Sequence, residues 1–333
     1  MSFAKFLRIS HNKFISEESP VFIIAEIGVN HEGKYNQCLN MIDMAHKAGA
    51  DAIKIQLANP DTNYNKSSKS YKIYTKSFFN NEQIKNIYRY AKQKKIILFA
   101  TADEYYFKLI KKLNQKLFKI SSSQAQDLSM IKKINMLNKP MIISTGMNTF
   151  QEVVNIIKFL QKLKNKKIIL LHCMSKYPTK IEETNLSMIT ALKENFKGLV
   201  GYSDHTIGIK ASTLAVAIGA KVIEKHFTSN PKRKGYDHSI SSNYLEFKKM
   251  VQNIRNIEKI IGTKKNNNNI KKSRKISSLK RSFFAKRNLY KGGKLKLEDL
   301  YTKRIGNNTS IETLLNSLNK KLKRNFKKDT KIF

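Results

Sequence analysis

Acidic residues are scarce in this chain. Its 333 residues hold 24 Asp and Glu against 64 Lys and Arg, a formal net charge of +40. Such a basic surface suits polyanions. Yet lysine is spread along the whole chain, with asparagine and isoleucine beside it, whereas a nucleic-acid site is a local patch. Neither aromatic–basic interleaving nor a recognisable binding module accompanies the charge. A basic nucleic-acid-binding protein therefore stands only as an alternative, and no specific nucleic-acid partner is expected. Cysteine is nearly absent. Cys38 and Cys173 are the only two, so neither a disulfide framework nor a cysteine-based metal site can be built. Long apolar runs are missing as well. No stretch approaches the roughly 18–20 residues of a membrane span. The first ten residues carry Lys5 and Arg8 and lack an apolar core of signal-peptide length. A cytoplasmic protein with no membrane partner is expected.

Apolar material for a core is present: 41% of residues are hydrophobic and 26% charged, which excludes wholesale disorder. The length fits one large domain, or a large one with a small one. Eight short runs rich in β-branched residues recur: Val21–Ala25, Ala52–Leu57, Ile96–Ala100, Leu117–Ser121, Met141–Ser144, Ile168–Cys173, Leu199–Tyr202 and Lys221–His226. Each is of strand length and nearly continuous in apolarity, as parallel strands buried on both faces are. Helical spacing appears between them, over Gln37–Ala48, Glu82–Lys94, Leu128–Leu137, Phe150–Leu163, Leu186–Phe196 and Ile209–Ile218, and after the eighth run over Leu245–Ile261. Gly49 can end the first of these helices. The alternation predicts an α/β fold, a (β/α)8 TIM barrel over residues 1–262. An open doubly wound sheet would need a glycine-rich turn after the first strand, which Glu26-Ile27-Gly28 does not supply.

Residues 263–276 are polar, basic and low in complexity, with Lys264-Lys265-Asn266-Asn267-Asn268-Asn269 at their centre, and read as a linker. Apolar content returns over 277–333, a small separate domain near the size where a lone core becomes marginal. It is expected to lean on the barrel or on a second chain.

In a barrel, chemistry sits where strands exit toward the following helices. Here every exit is polar. Glu26, Asn30 and His31 follow the first run, Lys54 and Gln56 lie on the second, and Thr101 ends the third. Lys119 and Ser121–Ser123 mark the fourth, Ser144-Thr145-Gly146 the fifth, and His172, Ser175 and Tyr177 the sixth. Ser203-Asp204-His205 end the seventh, and Glu224, His226, Asp237 and His238 the eighth. Burying so many ionisable groups costs several kcal/mol each unless they pair or bind something. Eight coincident cases point to an active site. His205 and His226 close neighbouring strands, about 4.8 Å apart. Two readings stand for them: ligands of one divalent ion with open positions, or hydrogen-bonded rim histidines. His31 and His172 read as structural. Lys54 and Lys119 sit mid-strand in a barrel without edges, which points them at an anion. Ser122, Ser144 and the amides around Gly146 can complete its cradle. Glu26 and Asp237 are candidates for acid–base work or for holding sugar hydroxyls. Glu224 is either a catalytic carboxylate or a support behind the metal ligands.

The ordered set of motifs resembles the sialic acid synthase family, the phosphoenolpyruvate-dependent synthases of N-acetylneuraminate and related nine-carbon acids. The matching stretches run from Ala25-Glu-Ile-Gly-Val-Asn-His-Glu-Gly33 and Ala48–Gln56 through Phe118–Ser122, Ile143–Met147, Leu171–Cys173 and Tyr177-Pro178 to Gly201–Thr206 and Ile223–Thr228. Phe284–Arg287 and Lys303-Arg304 resemble the antifreeze-like (SAF) domain of these enzymes. The resemblance implies that His205 and His226 hold Mn2+ or Mg2+. It places Lys54, Thr101, Lys119, Ser122, Ser144 and Ser175 around phosphoenolpyruvate, and Gln56, Tyr177 and Asp237 on an acylamino sugar, with Glu26 acting on water. It further implies a domain-swapped homodimer in which Arg304 enters the partner's site.

The sequence departs from the family pattern at Ala102, Ser123-Gln124, Tyr236 and Ile305, and Ala58–Phe79 is shorter than the usual second loop. The opening Ile27–Asn30 looks closer to the N-acetylneuraminate and legionaminate branches than to the pseudaminate branch. Two further alternatives remain, a synthase acting on a sugar phosphate and a catalytically dead scaffold. The small domain argues against the first, and the retained histidines and lysines argue against the second.

Overall fold

Strands that are apolar on both faces need cover on both sides. The computed structural model describes residues 2–262, 279–305 and 310–333. In it, a small antiparallel hairpin, β1 (Phe6–Arg8) with β2 (Phe14–Ser16), precedes eight parallel strands that close into one barrel. These are β3 (Phe22–Gly28), β4 (Ala52–Leu57), β5 (Ile97–Ala102), β6 (Phe118–Ile120), β7 (Met141–Ser144), β8 (Ile168–Cys173), β9 (Leu199–Asp204) and β10 (Val222–His226), with β10 returning to pair with β3. Helix α1 (Tyr35–Lys47) follows β3. After β4 come α2 (Pro60–Asn63), α3 (Lys69–Lys76) and α4 (Asn81–Gln93), and after β5 comes α5 (Glu104–Lys112). Then α6 (Leu128–Asn135), α7 (Phe150–Lys162), α8 (Met188–Phe196), α9 (Lys210–Ala217) and α10 (Tyr244–Ile261) follow β6 to β10 in turn. This is a TIM barrel.

Local signals set the helix ends. Asn80 with Gln83, and Thr149 with Glu152, form reciprocal capping boxes at the starts of α4 and α7. Gly49, at φ +99, takes the left-handed turn just past α1.

Alternate residues of each strand face opposite sides. One set, with Ile23, Ile53, Ile143, Leu170 and Val200, packs under the helices. The other set fills the barrel. Its lower tiers are Phe22, Ile24, Ala52, Phe99, Leu117, Ile142, Ile169, Leu171, Leu199 and Val222, joined from below by Leu7, Ile9 and Ile15 of the hairpin region. These thirteen side chains form an apolar plug, none more than 4% exposed. Two steps further along the same strands, and four along β9, the inward positions turn polar: Glu26, Lys54, Thr101, Lys119, Ser144, Ser203 and Glu224. The hairpin, α2, α3 and α5 are additions to the elements expected from the sequence.

The chain divides into two compact units, Met1–Ile261 and Gly262–Phe333. In the second, β11 (Arg281–Ala285) pairs antiparallel with β12 (Leu300–Arg304). Ala285, Leu289, Leu295 and Ile332 form its core, with Leu300, Leu318, Leu322, Phe326 and Phe333 packed against it. The proposed linker at 263–276 lies outside the described residues, as do Gly306 and Asn307.

Candidate active site

The polar tier above the plug opens into a cavity of about 590 Å³, within the range of small-molecule sites. Of the residues singled out in the sequence, Lys54, Gln56, Thr101, Lys119, Ser122, Ser144, Ser175, Tyr177, His205, Glu224, His226 and Asp237 all line it. Glu26 lies immediately behind Lys54, fully buried. Arg304 belongs to the second unit, exposed at the end of β12.

Four charges meet at the floor. Lys54 Nζ lies 2.8 Å from Glu26 Oε2 and 3.2 Å from Glu224 Oε1. Lys119 Nζ lies 3.6 Å from the same Glu224 oxygen and donates to Ser144 Oγ at 2.8 Å. Ser203 Oγ donates to Glu224 Oε1 at 3.0 Å. The anions that the mid-strand lysines meet here are thus the protein's own carboxylates, and the cluster's formal charges sum to zero. Burial, only partly offset by Glu224, pushes the Lys54 ammonium down to about 7. Burial alone would raise the Glu224 carboxyl, but Lys119 and Lys54 outweigh it and hold it well below the usual range.

Beside the lysines is a cradle of small groups. Ser122 Oγ accepts from the Gly146 amide at 3.0 Å and touches Cys173 Sγ at 3.1 Å. A Cβ at Gly146 would lie 2.5 Å from that sulfur and 2.8 Å from Ser175 Oγ, so only glycine lets the loop come this close.

At the other side the His205 and His226 rings stand 5.4 Å apart, with Tyr177 4.3 Å from His205. His205 Nδ1 donates to the Met174 carbonyl at 2.7 Å, which fixes the tautomer and leaves Nε2 as an acceptor. His226 Nδ1 is buried without a hydrogen-bond partner, 3.7 Å from Asp237 Oδ2. Burial, with smaller opposing contributions, lowers His205 to about 4; burial and the neighbouring His205 hold His226 well below its ordinary value. Both rings are therefore neutral at pH 7. Two neutral nitrogens beside a carboxylate fit a divalent cation with positions left open. Among the described residues no three His, Cys, Asp or Glu side chains close into a complete metal cage. Thr101 Oγ1, Ser175 Oγ and Glu224 Oε2 are likewise buried without partners.

Several residues at the strand exits turn away from the cavity. His172 continues the outward series of Ile168 and Leu170, and its Nε2 meets the Thr184 carbonyl at 2.8 Å. His31 stacks on Phe79 at 4.4 Å, and its Nδ1 accepts from the Gly33 amide. Asp204, also outward, is fully buried against Lys225 at 3.2 Å and accepts from Ser212 Oγ. Asn30 is fully buried and holds the Asp237 loop: its Oδ1 accepts from the Asp237 amide, and its Nδ2 donates to Phe227 O and Ser241 Oγ. Gln56 lines the cavity, but its Nε2 donates to Glu26 and its Oε1 accepts from the Tyr74 hydroxyl, so one N–H remains for a ligand. Cavity residues not singled out earlier include Asn63, Tyr64, Ser70, Ile73 and Tyr74 of the segment spanning α2 and α3, with Asp103. Asp103 pins that segment, accepting from the Asn59 amide at 2.6 Å and from the Asn63 side chain. An aspartate at a helix start followed by Leu109 and Ile110 was the available signal for α5.

Comparison with known proteins places these residues in a context. A family model described as the NeuB family matches residues 41–266. The N,N'-diacetyllegionaminic acid synthase of Campylobacter jejuni is 35% identical, over 93% of this chain and 98% of the relative. The human N-acetylneuraminate-9-phosphate synthase is 32% identical, over 77% of this chain and 76% of the relative. Among solved structures, the N-acetylneuraminic acid synthetase of Leptospira borgpetersenii, in complex with citrate, superposes with a TM-score of 0.75. It is 32% identical and covers 80% of this chain and 93% of its own.

Proposed function

The chain belongs to the NeuB family of sialic acid synthase-like enzymes, and on that premise we propose that it condenses phosphoenolpyruvate with an N-acylated amino hexose. The products are a nine-carbon nonulosonic acid and inorganic phosphate. One observation carries the reading. Four buried polar atoms without protein partners, on Thr101, Ser175, Glu224 and His226, converge on one cavity beside two buried lysines. Orphaned polar atoms at such depth cost about 1–3 kcal/mol each unless a ligand meets them.

In this reading Lys54, Lys119, Ser122 and Ser144 bind the carboxylate and phosphate of phosphoenolpyruvate, with Thr101 and Ser175 completing the cradle. Its terminal carbon attacks the aldehyde carbon of the open-chain sugar. A C–C bond forms, and the aldehyde oxygen takes up the released electron pair and a proton. Water oriented by Glu26 adds at the former enol carbon and loses a proton. The C–O bond to phosphorus-bearing oxygen then breaks, phosphate leaves with the electron pair, and the ketone carbonyl forms. Tyr177, Asp237 and the remaining N–H of Gln56 hold the sugar. Glu224 keeps the two lysines fixed and supports the histidine side of the site. When bound by His205 and His226, a divalent ion, Mn2+ or Mg2+, supplies polarisation of the aldehyde oxygen.

Arg304 and the second unit enter on resemblance alone. There the unit is an antifreeze-like domain exchanged in a homodimer, with Arg304 acting in the partner's site. The test of the reaction is incubation with phosphoenolpyruvate, Mn2+ and a panel of acylamino hexoses. Equimolar phosphate and a product heavier by the pyruvate unit are expected. Absence of both for every sugar would reject the reading.

A further inference from the structure

A cation held by two rings is only as well placed as the two backbones that carry them. Among the described residues no third His, Cys, Asp or Glu completes a cage around His205 and His226. Their separation, 5.4 Å between ring centres, therefore bears directly on affinity. The ladder that sets it stops short. β9 and β10 pair through Tyr202 with Ile223, Ser203 with Glu224 and Asp204 with Lys225, and the histidines are the next residue on each chain segment. On its far side His226 is paired with Glu26 of β3. His205 is anchored the other way, toward the segment after β8. Its Nδ1 donates to the Met174 carbonyl, and its own carbonyl accepts from the Thr179 amide at 3.0 Å. The two rings thus hang from different neighbours, and holding them in register needs a further tie.

The outward face of the same strands supplies one. Asp204 and Lys225 point away from the cavity and are fully buried against each other, Nζ to Oδ2 at 3.2 Å. Lys225 Nζ also donates to the Thr206 carbonyl. Asp204 Oδ1 accepts from the Thr206 amide at 2.9 Å and from its hydroxyl at 2.8 Å, and Oδ2 accepts from Ser212 Oγ of α9 at 2.6 Å. Asp204 and Thr206 are therefore cinched together with His205 between them. Lys225, the residue before His226, is bonded to both. Stability alone is a weak reason for this arrangement, because desolvation offsets most of the attraction within a buried ion pair. What a fully satisfied buried network does supply is one fixed geometry. We propose that Asp204 and Lys225 are positioning residues, which hold His205 and His226 at the separation that a divalent cation needs. This rests on the two-histidine metal site of the synthase reading and extends it to side chains that touch neither metal nor substrate.

Lys225→Met fills the same volume, leaves Asp204 its bonds to Thr206 and Ser212, and cuts the tie to the strand of His226. Mn2+ binding to the full chain, without substrate, is read by paramagnetic resonance and counted per folded chain from near-ultraviolet circular dichroism. Expected is a Mn2+ Kd weakened roughly 10- to 100-fold, with the phosphoenolpyruvate Kd in excess chelator within about twofold of wild type. The second constant should hold because Lys54 and Lys119 are fixed from inside the barrel, by Glu26, Glu224 and Ser144. Asp204→Asn combined with Lys225→Met cuts the same tie and strands no ion. It should weaken Mn2+ to a similar extent, with a urea midpoint in chelator no lower than that of Lys225→Met. A lowered midpoint with an unchanged Mn2+ Kd is what a merely structural pair gives, and overturns the proposal. So does an equal loss of Mn2+ and phosphoenolpyruvate affinity, which means general distortion, and so does failure of both variants to fold. A wild-type chain that binds no Mn2+ removes the metal site and the proposal with it. Phosphate release from phosphoenolpyruvate and acylamino hexoses judges the synthase reading separately.

Discussion

Replacing Lys119 with methionine separates what the buried charge cluster does for binding from what it does for folding. Lys119 Nζ lies 3.6 Å from Glu224 Oε1 and donates to Ser144 Oγ at 2.8 Å, with the side chain almost wholly buried. At an effective dielectric near 20 its attraction to Glu224 is worth about 4–5 kcal/mol. Desolvating the ammonium costs several kcal/mol in the other direction. Methionine fills the same volume without that cost. Glu224 keeps Lys54 at 3.2 Å and Ser203 at 3.0 Å, so it is not stranded. Stability should therefore change by no more than about 2 kcal/mol. Binding is different. The cluster goes from formal neutrality to one excess negative charge, and phosphoenolpyruvate loses one of two cations. A lost charge-assisted contact of about 3 kcal/mol corresponds to a roughly 150-fold rise in the phosphoenolpyruvate Kd. Calorimetric titration with phosphoenolpyruvate, alongside urea unfolding, measures both quantities. Unchanged affinity with intact folding would refute the anion role. A stability loss above about 4 kcal/mol would show that the cluster is architectural.

Chelation should abolish turnover and Mn2+ should restore it, while His205→Ala should lose most bound Mn2+ by paramagnetic resonance; full activity in excess chelator rejects the two-histidine metal site. Burial, partly offset by the Gly28 carbonyl and Glu32, lowers His31 to about 4, so between pH 6.5 and 4 the unfolded chain binds a proton that the folded chain refuses. Stability must fall with pH in that window, by up to about 3 kcal/mol, and the urea-unfolding free energy of His31→Gln should fall less steeply; parallel slopes would rule this out. Finally, Arg304→Ala and His226→Ala chains, inactive singly, should recover part of the activity when mixed if sites are shared between subunits. Confirmed subunit exchange without recovered activity sinks the shared-site proposal.

The barrel was legible because a parallel strand covered on both faces is written as an unbroken apolar run, and all eight runs fall on strands. That same continuity hides which residues face inward. Counting in twos from Ile168 and Leu170 puts His172 under the helices, and counting from Ala52 puts Lys54 in the barrel; a list of polar exits treats the two alike. The three-residue strands of the hairpin are too short to show any period. Helix α5 opens with two tyrosines and a phenylalanine, which blur its apolar face, although Asp103 caps it. The cation cluster was half visible. Lysines in mid-strand announce an anion, but that Glu26 and Glu224 already supply it depends on strand neighbours, β3 against β4 and β10 against β3, fixed only when the sheet closes.

The apolar plug beneath the site has a kinetic consequence. Its side chains are at most 4% exposed, so traffic from below is shut off and the cavity fills from the loop side. A cavity filled from one end works as a queue. In the proposed reaction the compound held by Lys54 and Lys119 occupies the far end, and the sugar stands between it and the exit. Phosphoenolpyruvate must then load first, a sugar bound early is a dead end, and excess sugar should inhibit competitively with phosphoenolpyruvate. The hairpin that seals the base thereby imposes an order on events at the opposite face.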